Sequence, residues 1–364
     1  MNRNLIIFIP SIESGGVEKN LYIVSNYLIK KNINIEILTC NYDKKKNFNK
    51  KIKIIGTKNR FWINKNRKIK YLVCLLYLFI YLLKSNSQKL VFAFQANIYA
   101  ILIAKLTLTK VITRSNSSPS GWSKNYLKKL FYKNIIKLAD DVVVNSYQFK
   151  KEFKKIFNIN AKCILNPFDR SYFSKNKLKF KKINNSMKSL NILTVGRLTD
   201  QKDHITLLKA AKLINPKLNP KITIIGQGQN YNILKKFIND NNLSFVVKLI
   251  GYLPNPITYI KNSDIFVLTS KYEGLPNVLL EAQYFKKYII STDCPTGPKE
   301  ILLNGKAGDL IKVADYKSLS KLINNYPKRK KLVLNKIKQG TKHFKRFDYK
   351  INCEKYLNFV KQNF

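Results

Sequence analysis

Short, wholly apolar runs alternate with longer amphipathic stretches along most of this chain. Leu5-Ile6-Ile7-Phe8-Ile9 is such a run, closed by Pro10. Ile35–Thr39, Leu90–Phe94, Lys110–Thr113, Asp141–Val144 and Cys163–Asn166 have the same β-prone character and predict further strands. A helix is predicted from about Val17 to Lys30, and helical stretches separate the later strands. The pattern then starts afresh. Asn191–Val195, Lys221–Ile225, Val246–Leu249, Ile265–Leu268 and Tyr288–Ser291 read as strands. His204–Ile214, Tyr231–Asn239, Ile257–Lys261, 276–286 and Pro298–Leu303 read as helices. Strands without polar alternation are buried on both faces, so each half predicts a mostly parallel, doubly wound α/β sheet with helices on both sides.

The 364 residues suffice for two such domains. Residues 174–190 are polar, basic and without period, and read as the linker. The predicted division is a first α/β domain over 1–173, a second over 191–345, and a C-terminal helix, 346–364, packing back toward the first. Two units in tandem leave a cleft between them.

Charge changes the picture. The chain carries 68 Lys and Arg against 20 Asp and Glu. Nucleic acid is the obvious polyanion for such a chain, but no recognition motif for it is legible, so it is not the expected partner. Residues 44–70 hold twelve cations and no acid, directly before the thirteen-residue apolar run Tyr71–Leu83. That run falls short of the roughly 20 residues needed to span a bilayer. A basic segment beside an apolar helix predicts docking on an anionic membrane surface. The other readings are a buried helix flanked by solvated lysines, and a Lys/Asn/Ile bias from A/T-rich codons. Five scattered cysteines show neither metal spacing nor a disulfide framework, which suits a reducing cytoplasm. No secretory signal is legible, so the expected location is cytoplasmic, peripheral on the inner face of the membrane.

The candidate chemistry clusters in the second half. In Ser270-Lys271-Tyr272-Glu273-Gly274-Leu275-Pro276-Asn277-Val278-Leu279-Leu280-Glu281-Ala282, two carboxylates stand eight residues apart after a predicted strand. Pro276 suits the first turn of a helix, so Glu273 is placed on the loop and Glu281 two turns into the helix. Ligands of open α/β sheets bind outside the carboxyl ends of strands, within reach of both. Gly196-Arg197-Leu198 follows another strand, with Lys202 five residues after Arg197. The Arg fork and the Lys point charge both suit phosphate oxygens, Gly196 allows close backbone approach, and Asp203 is placed to cap the next helix. Gly226-Gln227-Gly228, Gly251-Tyr252 and Asp293-Cys294-Pro295-Thr296-Gly297-Pro298 are further strand-end glycine loops. Carboxylates for sugar hydroxyls and cations for a diphosphate are what a nucleotide sugar requires.

Taken in order, these motifs resemble the retaining glycosyltransferase family 4, of the GT-B fold, and its bacterial members that build surface polysaccharides and lipid-linked oligosaccharides. The resemblance is strong over about 190–310 and looser at Ser14-Gly15-Gly16-Val17-Glu18. It implies two Rossmann-like domains facing across a cleft, the first on the acceptor side. It implies that Arg197 and Lys202 neutralise the donor diphosphate, that Glu281 binds the ribose and that Glu273 holds the transferred sugar. Gly15 and Gly16 would bring backbone N–H groups to the diphosphate, and Gly196, Gly226, Gly251, Tyr252, Gly274, Leu275, Pro276 and Asn277 would line the donor. No metal or other cofactor is implied; the nucleotide sugar, expected to be a UDP-sugar, is a substrate, and the acceptor is a lipid-linked saccharide. Many family members carry a His in the first domain, whereas this chain has only His204 and His343. Arg114-Ser115-Asn116-Ser117-Ser118-Pro119 is the segment expected to face the acceptor. The rival readings are a GT-B nucleotide-sugar epimerase and a non-catalytic polyanion- or lipid-binding protein.

Overall fold

The computed structural model describes residues 4–13, 15–57, 60–63, 65–84, 88–116, 125–171 and 189–364. The chain divides into a first unit, Met1–Arg170 with Phe347–Phe364, and a second, Ser171–Arg346. Residues 174–188 of the predicted linker, together with Ser14 and Ser117–Pro119, lie outside the described residues.

The first unit is built on seven strands: β1 (Asn4–Phe8), β2 (Asn34–Leu38), β3 (Lys53–Ile55), β4 (Lys89–Ala93), β5 (Lys110–Ser115), β6 (Asp141–Val144) and β7 (Lys162–Cys163). They stand in the order β3-β2-β1-β4-β5-β6-β7, every neighbouring pair parallel. Leu5 on the central strand pairs with Ile35 and Leu90, so apolar residues continue across the sheet. Because side chains alternate along a strand, each run feeds two cores. Leu5, Ile7, Ile37 and Phe92 pack beneath helices Gly16–Lys30 and Tyr349–Asn363. Ile6, Phe8, Leu38 and Val91 pack beneath Arg67–Leu83, Asn97–Leu106 and Tyr147–Phe157. The C-terminal helix is tied to this unit by Tyr27, whose hydroxyl donates to Glu354 Oε2 at 2.6 Å.

The structure divides the basic segment 44–70. Phe48 and Ile52 are buried in the core beneath helix Gly16–Lys30. The apolar helix Arg67–Leu83 covers the opposite sheet face. Hence the cations of 44–51 do not form one patch with that helix, and Lys44 pairs with Asp43, whereas Lys53 pairs with Glu36, which also accepts from the Tyr81 hydroxyl of that helix at 2.6 Å.

The second unit holds β8 (Leu190–Val195), β9 (Pro220–Ile225), β10 (Val247–Gly251), β11 (Ile265–Leu268), β12 (Tyr288–Thr292) and β13 (Asp309–Ile311). Their order is β10-β9-β8-β11-β12-β13, again all parallel. Connectivity reverses direction beside β8 and β11 here, and beside β1 and β4 in the first sheet. At such a reversal the flanking loops part and leave a crevice at the carboxyl ends of the strands.

Candidate functional site

The reversal in the second sheet is where the sequence motifs converge. The loop after β8 carries Gly196, Arg197 and Lys202; the loop after β11 carries Ser270 to Pro276; the loop after β12 carries Asp293 to Gly297. Hydrogen bonds between their backbones and side chains bind these loops together. Lys271 N–H donates to Gln201 O at 2.8 Å, and the Gln201 amide returns a bond to Tyr272 O at 2.9 Å. The Thr269 hydroxyl donates to Lys202 O at 3.0 Å. Thr292 and Thr296 hydroxyls donate to Ser270 O and Glu273 O at 2.6 and 2.5 Å.

Glu273 lies at the centre, almost fully buried. Its Oε1 accepts from Lys202 Nζ at 2.5 Å and from the Ser270 hydroxyl at 2.6 Å. Both contacts hold the carboxylate from one oxygen. Cys294 is buried nearby; burial first, and then the Glu273 charge, push its thiol up to about 12, so it stays protonated at neutral pH. Arg197 is exposed, and its guanidinium donates to Gln201 Oε1 at 3.4 Å. The site thus presents one nearly buried, paired cation and one exposed cation at a strand-end loop.

The glycines have distinct reasons. A Cβ on Gly226, at φ +155°, would sit 1.8 Å from Gly196 O, and one on Gly297, at φ +81°, would sit 1.8 Å from Gly274 O. Both let neighbouring loops press backbone to backbone. Gly226 N–H donates to Gly251 O at 2.8 Å, tying the loops after β9 and β10, and Tyr252 stands partly exposed beyond it. Leu275 is buried behind Gly274.

Several placements differ from those read in the sequence. The helix carrying the second carboxylate begins at Asn277, with Pro276 as its extended N-cap rather than its first helical residue. Glu281 is buried on that helix. Asp203 stands at the N-cap of His204–Ala211 in a left-handed conformation, φ +45°. Its carboxylate accepts from the Thr206 hydroxyl, 2.7 Å away, and caps no backbone N–H. The lysine clamp and Ser270 were hidden from the sequence as partners of Glu273, although Ser270 stood three residues before it.

In the first unit, Gly15 is the extended N-cap of the helix that follows β1, and Gly16 its first residue. Glu18 folds back toward Gly15, and burial raises its carboxyl above the usual range. Arg114, in the segment expected to face the acceptor, is an interior residue, 0% exposed. Its Nε donates to the Tyr356 hydroxyl and its Nη2 to Asn166 Oδ1, both at 2.8 Å, and its Nη1 to Asn116. His204 is also buried, with Nε2 3.3 Å from Arg197 O; burial, and then the Lys202 charge, lower it to about 4. It is a neutral brace of the Arg197 loop.

Residues 175–343 match the family described as Glycosyl transferases group 1. The second unit contains a group 1 glycosyl transferase domain. The uncharacterized glycosyltransferase MJ1059 of Methanocaldococcus jannaschii is 38% identical over 181 residues, which are 48% of this chain and 44% of that protein. The chain thus spans less than half of that relative's length. The N-acetylgalactosamine-N,N'-diacetylbacillosaminyl-diphospho-undecaprenol 4-alpha-N-acetylgalactosaminyltransferase of Campylobacter jejuni is 28% identical over 272 residues, 71% of this chain and 73% of that one. The crystal structure of Anabaena HepE in complex with UDP-glucose aligns with a TM-score of 0.77 over 99% of both chains, at 17% identity. That likeness carries the fold: two parallel α/β sheets of the GT-B class. Within the group 1 domain, Arg197, Lys202, Glu273 and Glu281 all belong to the loops and the helix around the strand reversal.

Proposed function

We propose that this chain is a retaining glycosyltransferase of family 4 type, moving a hexose or N-acetylhexosamine from a UDP-sugar to a lipid-linked saccharide in cell-surface polysaccharide or glycan synthesis. It would work at the cytoplasmic face of an anionic membrane. The observation that carries this reading is the Glu273 carboxylate held by Lys202 and Ser270 at the strand reversal, with Arg197 on the same loop as Lys202. As the bond from the anomeric carbon to phosphate breaks, negative charge grows on the diphosphate. Arg197 and Lys202 are the cations available to neutralise it without a metal. Glu273 takes hydroxyls of the transferred sugar and steadies its cationic character, while Glu281 takes the ribose hydroxyls. Retention needs no histidine base if the acceptor hydroxyl passes its proton to the departing phosphate oxygen on the same face. The names of the Campylobacter enzyme and of the HepE complex support a lipid diphosphate acceptor and a UDP donor.

The test is thermal stabilisation and donor hydrolysis across a panel of nucleotide sugars, repeated on Arg197→Ala and Glu273→Gln. Arg197→Ala should lower turnover by the roughly 10²–10³ typical of removing a preorganised charge-stabilising donor, with the fold intact. Glu273→Gln should lose the sugar donor while keeping the nucleoside diphosphate. Wild-type turnover in both variants would refute the assignment.

A further inference from the structure

The first unit exposes apolar side chains where a surface helix ordinarily carries polar ones. Helix Arg67–Leu83 buries Cys74, Leu78 and Leu82, spaced four apart, against the sheet. Its outward side nevertheless carries Leu72, Leu76, Phe79, Ile80 and Leu83, all exposed. Helix Asn97–Leu106 packs beside it, and at its end Leu106 is 75% and Leu108 97% exposed. Helix Tyr126–Ile136 packs beside that in turn, exposing Leu127, Leu130 and Phe131. The three helices lie on one face of one sheet, over one core. Among the described residues, none of them is long and apolar enough to cross a membrane.

Charge identifies what covers this face. From residue 44 to residue 139 the chain holds 22 Lys and Arg and not one Asp or Glu. A uniform A/T codon bias favours Lys over the acids along the whole chain, but it does not place all 20 Asp and Glu outside this stretch. Acids are absent over the stretch that contains all three helices. Lys128, Lys129 and Lys133 interrupt the leucines of the third helix, and Lys65, Arg67 and Lys68 stand at the start of the first. Exposed leucines rimmed by lysines match acyl chains beneath anionic headgroups. A second copy of the chain fits poorly, since an isologous contact would set cations against cations.

We propose that the outward face of these three helices docks on an anionic lipid bilayer. Its centre is the leucine face of the three helices, and its charge comes from the lysines on that face rather than from 44–51, which lie with Phe48 and Ile52 on the opposite side of the sheet. The inference takes from the proposed function only that the acceptor is lipid-borne; the geometry stands apart from it.

Flotation of the full chain with phosphatidylglycerol/phosphatidylcholine vesicles tests the proposal. Binding is expected to anionic vesicles, to fall as salt screens it, and to be absent on phosphatidylcholine alone. The pairs Leu76→Gln with Ile80→Gln and Leu130→Gln with Phe131→Gln should each weaken binding by about tenfold or more. Their melting temperatures should match wild type, because these side chains are exposed. In a background with the two native tryptophans replaced (Trp62→Phe with Trp122→Phe), Leu76→Trp emission should shift to the blue on anionic vesicles, whereas Ile233→Trp in the second unit should not respond. Three results would overturn the proposal: no flotation of wild type at low salt, equal flotation of both paired variants, or a wild-type dimer that these substitutions turn into monomer. Transfer to a soluble acceptor analogue should persist in every variant. Its absence from wild type would instead count against the proposed function, leaving the vesicle result to stand by itself.

Discussion

Glu273 shows how few atoms the site depends on. One carboxylate oxygen takes both Lys202 and Ser270, so the hydroxyl holds the carboxylate in place whichever way the lysine moves. Ser270→Ala should therefore lower kcat for the sugar donor by about tenfold, the scale of one lost hydrogen bond to a charged group, with little change in nucleoside diphosphate affinity. A calorimetric titration beside steady-state rates separates the two, and an equal loss in both would assign Ser270 to the fold alone. His204 gives a pH signature. Its pKa is lowered to about 4 by burial, whereas the unfolded chain keeps the ordinary value of 6.5. Between those values the unfolded state binds the extra proton, so stability falls as pH falls through that window. The loss at its acid end is on the order of 3 kcal/mol, from about 1.4 kcal/mol per unit. Urea melts of wild type and His204→Gln at pH 7 and pH 4.5 should show the gap between the two pH values shrinking in the variant.

At the scale of the element, the strand-end loops owe their closeness to missing side chains. Gly226 has both a positive φ and a neighbouring carbonyl where a Cβ would stand. Gly226→Ala should cost about 2 kcal/mol or more, read as a lower melting temperature, because strain and collision add. Gly251 also has positive φ, +84°, but its Cβ would meet nothing within 4 Å. Gly251→Ala should cost only about 1 kcal/mol, the left-handed penalty. Equal costs would mean that the approach of the loops after β8 and β9 is not what Gly226 provides.

At the scale of the whole molecule, the proposed chemistry gives Arg197 and Lys202 the place that a metal takes in many phosphate-handling proteins. If Arg197 and Lys202 carry the diphosphate, transfer should be undiminished in a strong chelator. Activity abolished by EDTA and restored by Mg²⁺ or Mn²⁺ would contradict the proposed chemistry. Raising salt should separate two uses of the same charge: exposed contacts to lipid are screened, while the nearly buried Lys202–Glu273 pair is screened much less.

The parallel α/β character of both units was legible in the chain because a strand buried on both faces must be continuously apolar, and Leu5–Ile9 or Ile265–Leu268 is nothing else. The positions of Arg197, Lys202 and Glu273 were legible because glycine and proline mark the strand ends. Three-residue β3 and β13 were not, since so short a piece has no period of its own and becomes a strand only by pairing with β2 and β12. Tertiary structure alone decided that Lys202 meets Glu273 across 71 positions. It also decided that Arg114 is buried among neutral partners and that the basic segment parts onto opposite sides of a sheet. Local sequence sets which face of an element is apolar; which elements stand beside it, and so which charges meet, depends on the order of strands in the sheet.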